Sequence, residues 1–273
     1  MLIKWPSLII LVFFIAGFFY LFYPHIENSF IFFPGSSFVL TPNERNLNYK
    51  DVYFTSQDGK KLHGWFFPLE KELPVLLFYH GNAGNISHRL ENISLLLKNN
   101  VPAFIFDYRG YGKSSGNPSE KGLYLDGLAA YDYLIQKEKI SPDRIILFGR
   151  SLGASIAIDV SLKRKVRSII IEGAFTSTRE MAKTIPLFNL LSPFLPANYN
   201  NLEKVAQISV PKLIIHSEDD EIVPFAMGRK LFDTANAPKY FLRLKGGGHN
   251  DSYIVGGKDY FQAIRTFARD SRI

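Results

Sequence analysis

The sequence predicts an α/β domain built on a mostly parallel, eight-stranded sheet with helices on both faces. Three observations predict it. Short apolar runs alternate with helix-forming segments along most of the chain, the rhythm of parallel strands joined by helical crossovers. Before that alternation begins, Asp58-Gly59 separates two strand-like segments, a hairpin signature. The apolar run Ile145-Ile146-Leu147-Phe148 then passes through Gly149-Arg150-Ser151-Leu152-Gly153 into a helical segment, a strand–turn–helix with glycines on either side of a serine.

The elements follow in order. Residues 5–23 carry no charge; at about 1.5 Å per helical residue they reach roughly 28 Å, close to the ~30 Å hydrocarbon core of a bilayer. A cleaved signal peptide would have a shorter apolar region of about 7–15 residues and a small-residue cleavage site. Here the run ends in Phe19-Tyr20-Leu21-Phe22-Tyr23-Pro24, bulky and aromatic, which suits a membrane interface. Residues 1–26 are therefore read as an uncleaved N-terminal transmembrane anchor. Lys4 precedes the span, whereas the next basic residue after it, leaving His25 aside, is Arg45. That bias puts the N-terminus in the cytoplasm and the remaining domain on the non-cytoplasmic side, periplasmic in a bacterium.

Residues 27–48 read as a connector, with Pro34-Gly35 and Thr41-Pro42 as turns, and 49–273 as one domain of comfortable size for a full core. Strands are expected at 49–56, 61–67, 74–79, 103–107, 144–148, 168–172, 211–216 and 240–244, and helices near 87–99, 119–138, 152–162, 224–235 and 258–269. Residues 174–206 break the rhythm with an apolar stretch punctuated by Pro186, Pro193 and Pro196. They are read as a small cap, with two open readings: an apolar roof for an acyl chain, or ordinary packing on the core.

Composition narrows the chemistry. The 273 residues contain no cysteine, which excludes disulfides, thiolate metal sites and a cysteine nucleophile. There is no Walker loop, metal-ligand cluster or nucleic-acid-binding module, so no cofactor, metal or nucleic acid is called for. The net charge of +7 would draw a tethered domain towards anionic lipid headgroups. Lys163-Arg164-Lys165-Val166-Arg167 reads as a solvated helix end. Asn85, Asn92 and Asn250 begin N-x-S sequons, two of them beside the candidate site.

A serine on a sharp, strained turn is pushed out above the sheet and needs Gly149 and Gly153 because larger side chains would collide. A base and an acid must follow it. Of the six histidines only His216 and His249 come after Ser151, and His216 would precede its own acid. His249 lies in the flexible loop Gly246-Gly247-Gly248-His249 and is the base. The acid should come from Glu218-Asp219-Asp220-Glu221: Asp220 is chosen, Asp219 is its neighbouring alternative and Glu172 a more distant one, with the other carboxylates solvated or capping the next helix. Two backbone N–H groups would complete an oxyanion hole, Leu152 at the start of a helix and Asn82 in the loop His80-Gly81-Asn82-Ala83-Gly84-Asn85. His80 is read as bracing that loop, and Asp107 and Arg109 as loop architecture.

Together His80–Asn85, Asp107-Tyr-Arg-Gly-Tyr-Gly-Lys-Ser114, Gly149–Gly153, Asp220-Glu-Ile-Val-Pro224 and Gly248-His-Asn-Asp251 resemble the α/β-hydrolase superfamily, over about residues 50–268. More narrowly they look like its membrane-anchored group containing the mammalian alpha/beta-hydrolase domain-containing proteins 13 and 17 and their bacterial relatives. The resemblance implies a serine hydrolase. Protein depalmitoylases occur in that group, but the cysteine cluster by which the second type is lipidated is missing here. The expected substrate is a small-molecule or lipid-like acyl ester or thioester, or an acylated protein. A serine peptidase of aminopeptidase type and a non-catalytic membrane-tethered binding module are the rival readings. The oligomeric state is left open.

Overall fold

The structure, a computed structural model, describes residues 14, 17, 23, 25–70 and 72–272. Among the described residues no helix is long and apolar enough to cross a membrane. The expected anchor over 5–23 lies outside the described residues apart from Phe14, Gly17 and Tyr23. Residues 25–31 are helical, and Pro34–Ile273 form a compact unit.

Eight strands make its sheet: β1 (Lys50–Thr55), β2 (Lys61–Phe67), β3 (Val75–Tyr79), β4 (Ala103–Asp107), β5 (Ile145–Arg150), β6 (Ser168–Glu172), β7 (Lys212–Ser217) and β8 (Lys239–Leu244). Their spatial order is β1-β2-β4-β3-β5-β6-β7-β8. β2 pairs antiparallel with both β1 and β4, and every pairing from β4 to β8 is parallel. From β3 the chain steps out to the adjacent β4 and then crosses back over β3 to β5, so β3 lies between β4 and β5 near the middle. Every residue of β3, β4, β5 and β6 is buried, as expected of parallel strands covered on both faces.

Helices α1 (Leu90–Lys98), α2 (Glu120–Gln136) and α3 (Leu152–Lys163) follow β3, β4 and β5. Alternation along the strands divides the core. Phe78, Phe148, Ile170 and Leu213 pack with Ile93 and Leu96 of α1 and with the C-terminal helix, while Tyr79 and Phe104 face α2 through Gly127 and Tyr133. At the sheet centre the rings of Phe78 and Phe148 stack with centroids 4.5 Å apart.

Compared with the expected boundaries, the shifts are small and have local causes. β5 runs on through Gly149 to Arg150, because the parallel ladder to β6 continues to the pair Arg150↔Glu172. α1 is preceded by a tight turn at Ile86–Arg89, whose Ser87 N–H is capped by the Asn85 side chain. Part of the expected connector is integral to the domain: Asn85 Nδ2 donates to the carbonyls of Gly35 and Ser37, and Phe38 packs edge-on against Trp65. Asn85 and Asn92 are buried and so cannot carry a glycan in the folded chain, whereas Asn250 is exposed.

Residues 174–206 hold α4 (Thr178–Lys183), α5 (Pro186–Asn189), a turn at Ser192–Phe194 and α6 (Asn201–Val205). The segment is pinned at its far end, where Asn201 Nδ2 donates to Ser155 Oγ at 2.8 Å and to the Phe175 carbonyl. Its middle is not core. Leu190 and Phe194 are 82% and 80% exposed, and Ile185 and Leu191 are exposed as well.

The loop after β4 is tied down by charge. Arg109 pairs with Asp126 of α2 at 2.8 Å and with Asp58 of the β1–β2 turn at 2.7 Å. Asp126 is fully buried, so replacing Arg109 would strand its carboxylate without a counter-ion. Arg109→Met is expected to cost about 3–5 kcal/mol in a urea unfolding curve.

Candidate active site

The turn at Ser151 is built by close contact between α3 and two strands. Ser151 has φ 53° and ψ −120°, a conformation that L-residues adopt only under constraint. A Cβ at Gly149 would stand 2.4 Å from the Cα of Ala154, and one at Gly153 would stand 2.0 Å from the carbonyl oxygen of Tyr79. Only hydrogen fits. The start of α3 therefore lies directly on the end of β3, and the Ser151 hydroxyl projects past the C-terminal edge of the sheet, where loops from three other strands converge.

One of these loops carries His249. Its Nε2 lies 2.9 Å from Ser151 Oγ, and its Nδ1 lies 2.7 Å from Asp220 Oδ2. Asp220 Oδ1 accepts from the N–H groups of Ile222 and Val223 at 3.0 and 2.7 Å, which aims the other oxygen at the imidazole. His216, at the end of β7, stands 3.4 Å from the same Oδ2. Burial alone would raise the Asp220 pKa. Hydrogen bonds from His216 and His249 outweigh it and hold the carboxyl well below the usual carboxylate range. The three side chains form one hydrogen-bonded line, able to draw a proton from the serine and stabilise the resulting imidazolium.

The other carboxylates take different places. Asp219 is exposed. Glu221 Oε2 accepts from the His249 backbone N–H at 2.9 Å, and Glu218 pairs with Arg243. Glu172 turns away from the imidazole; it accepts from Ser252 Oγ and Tyr260 Oη, each at 2.5 Å, and faces Arg150. The sequence reading missed Glu221, which it left solvated or capping a helix. Its signal was present, since four adjacent carboxylates facing one loop invite more than one contact.

Opposite His249 lies the loop after β3. A Cβ at Gly81 would come within 3.6 Å of the Ser151 Cβ, so this loop passes over the serine. His80 is fully buried, and burial pushes its imidazole down to about 3, leaving it neutral. Its Nδ1–H donates to the Gly81 carbonyl at 2.7 Å. Because a trans peptide points its N–H opposite its carbonyl, this bond sets the direction of the Asn82 N–H. Tyr108 and Tyr111 donate to the carbonyls of His80 and Asn82 at 3.0 and 2.7 Å and hold the flanking planes. The Leu152 N–H opens α3 and has no carbonyl four residues earlier in the helix. Asp107, whose carboxyl burial raises, accepts from the Ile86 N–H at 2.9 Å and serves the same scaffold.

Comparison with known proteins agrees with this architecture. A family model described as the alpha/beta hydrolase fold matches residues 74–192. The Arabidopsis thaliana alpha/beta hydrolase domain-containing protein WAV2 is 34% identical over 85% of this chain and 82% of its own. The chain belongs to the α/β-hydrolase superfamily. Schizosaccharomyces pombe protein bem46 is 33% identical over 86% of this chain and 81% of its own, and an uncharacterized Mycobacterium tuberculosis protein is 33% identical over 90% and 89%. Among solved structures, a Pyrococcus furiosus esterase superposes with a TM-score of 0.72 at 21% identity, covering 87% of this chain and 98% of its own. At that identity the likeness speaks for the α/β-hydrolase fold.

Two measurements check the site. Gly153→Ala forces backbone apart and is expected to cost about 3 kcal/mol in a denaturant curve and to abolish reaction of Ser151 with a fluorophosphonate. Asp220 has a depressed folded pKa, so its stabilising contribution is present above the unfolded value of about 4 and is lost as pH falls through the folded value. The stability gap between the native chain and Asp220→Asn is therefore expected to widen as pH rises towards about 4 and then stay level, measured by urea unfolding across acid pH.

Proposed function

We propose that this α/β-hydrolase is a membrane-anchored serine hydrolase of the esterase or thioesterase type that cleaves apolar acyl substrates. The observation that carries the reading is the continuous line Asp220–His249–Ser151, with separations of 2.7 and 2.9 Å. In this mechanism His249 Nε2 takes the proton of Ser151 as Oγ attacks the acyl carbonyl, and Asp220 stabilises the imidazolium. The N–H groups of Leu152 and Asn82 receive the oxyanion, His249 returns the proton to the leaving group, and water activated by His249 releases the acyl group. No metal or cofactor enters any step.

The apolar side of the substrate is argued from the cap. Exposed Leu190, Leu191 and Phe194 crown a segment anchored beside α3, a surface suited to an acyl chain or a lipid-facing setting. The uncharged run 5–23 supports a tether, and its flanking charges support a domain on the non-cytoplasmic side. Kinship with WAV2 and bem46 supports placement in the narrower membrane-anchored group.

The test uses the full chain in detergent micelles, a fluorophosphonate probe and p-nitrophenyl esters of graded chain length. Ser151→Ala is expected to lose labelling and turnover, and Asp220→Asn to lower kcat by about 10^4-fold. Leu190→Asp with Phe194→Asp is expected to slow long-chain esters while sparing short ones. A wild-type chain that melts cooperatively yet neither labels nor turns over any ester would overturn the reading in favour of a binding module.

A further inference from the structure

We propose that Arg150 and Glu172 form a latch that positions His249 from behind its imidazole, making Arg150 a positioning residue of the hydrolytic reaction proposed above, on which this inference rests. Arg150 stands between Gly149 and Ser151, a charged residue ending a strand whose every position is buried. Its side chain is 4% exposed and that of Glu172 is 3% exposed. A buried ion pair is costly to desolvate and is weak evidence of a stability role, so its partners indicate what it is for.

Those partners all belong to the histidine loop and the helices after it. Arg150 Nη2 donates to the His249 carbonyl at 2.8 Å, while Nε faces Glu172 Oε1 at 3.2 Å. Glu172 Oε1 also accepts from Ser252 Oγ, and Oε2 from Tyr260 Oη, both at 2.5 Å. Ser252 begins α7 (Ser252–Val255), and Tyr260 lies in α8 (Gly257–Asp270). One buried pair thus joins β5, β6, the carbonyl of His249 and both helices that follow it.

The start of the loop is tied separately, by Ser217 Oγ at the carbonyls of Gly246 and Gly247, and Arg150 adds a tie at His249 itself. Gly246 and Gly247 both have positive φ, and a glycine-rich segment has the most freedom to lose on ordering. On the solvent side the His249 N–H is held by Glu221, an exposed side chain. Arg150 holds the opposite end of the same residue from the dry side. Arginine suits the task because one rigid plane holds Nε towards a carboxylate and Nη2 towards a carbonyl at once, whereas a lysine ammonium is a point charge on a flexible stem. Glu172 closes the arrangement. Although it sits beside Gly173, whose Cβ would come within 3.2 Å of the His249 ring, its carboxylate neutralises Arg150 instead of orienting the imidazole.

The test compares the full-length chain with the double variant Arg150→Met/Glu172→Gln, which leaves no single charge buried, and with Arg150→Lys. Two readouts are taken: ester kinetics, and the low-field proton resonance of the His249 Nδ1–H bonded to Asp220. In the double variant kcat is expected to fall about 10- to 100-fold with KM within about twofold, and the resonance to broaden or move upfield. Arg150→Lys is expected to fall between, and it replaces the double variant if that chain does not melt cooperatively. A folded variant with kcat within about twofold of wild type and an unmoved resonance overturns the latch. Absence of Ser151-dependent turnover in the wild type overturns the hydrolase reading instead. The resonance alone then decides the latch, which is overturned if the signal is the same in variant and wild type.

Discussion

The turn that carries Ser151 exists because α3 starts in contact with the backbone of β3, where a methyl group on Gly153 would lie 2.0 Å from the Tyr79 carbonyl. Several features follow from that approach. It drives Ser151 to φ 53°, lifts its hydroxyl past the sheet edge and points the first N–H of α3 towards the same space. It also needs β3 and β5 to be adjacent, which the strand order secures by sending the chain across to β4 and back. The strain is sustained by an almost completely buried central sheet, since an isolated turn would relax.

Around that point the site is organised less by the three side chains in line than by what holds their backbones. His80 orients the Gly81–Asn82 peptide, the tyrosines of the β4 loop hold its neighbours, Glu221 holds one end of His249 and Arg150 faces the other. Loops supply the candidate chemistry, and buried polar groups remove their freedom. Arg109 plays the same part a layer out, fastening the β4 loop to α2 and to the β1–β2 turn. Buried charge here goes with loops that must not move, and apolar packing holds the rest.

The cap stands apart from this pattern. Pro186 and Pro193 open its short helical turns, and Ile185, Leu190, Leu191 and Phe194 face outward rather than into the domain. An apolar stretch in sequence carries no sign of which side it presents, so packing on the core and a roof for an acyl chain read alike. Exposure of Leu190 and Phe194 sets those two residues outside the core. The substrate reading rests on that exposure together with the uncharged N-terminal run.

The positions of the strands along the chain, the serine turn and the histidine loop were legible in sequence because local patterns encode them. Apolar runs of strand length, glycines flanking a serine and a histidine among glycines each state a backbone requirement within a few residues. The acid was legible only to a run of four carboxylates, because neighbours on one turn differ in direction and not in type. Tertiary structure separated them: the turn after β7 aims Asp220 inward, leaves Asp219 exposed and lends Glu221 to the His249 backbone. Arg150 and Glu172 lie 22 positions apart, and their shared hold on His249 appears only when β5 and β6 pair in register. Sequence by itself determined which chemical groups are present and which local turns they sit on. Only the packing of distant segments decided which group faces which, because direction at a site is set by contacts that no local pattern contains.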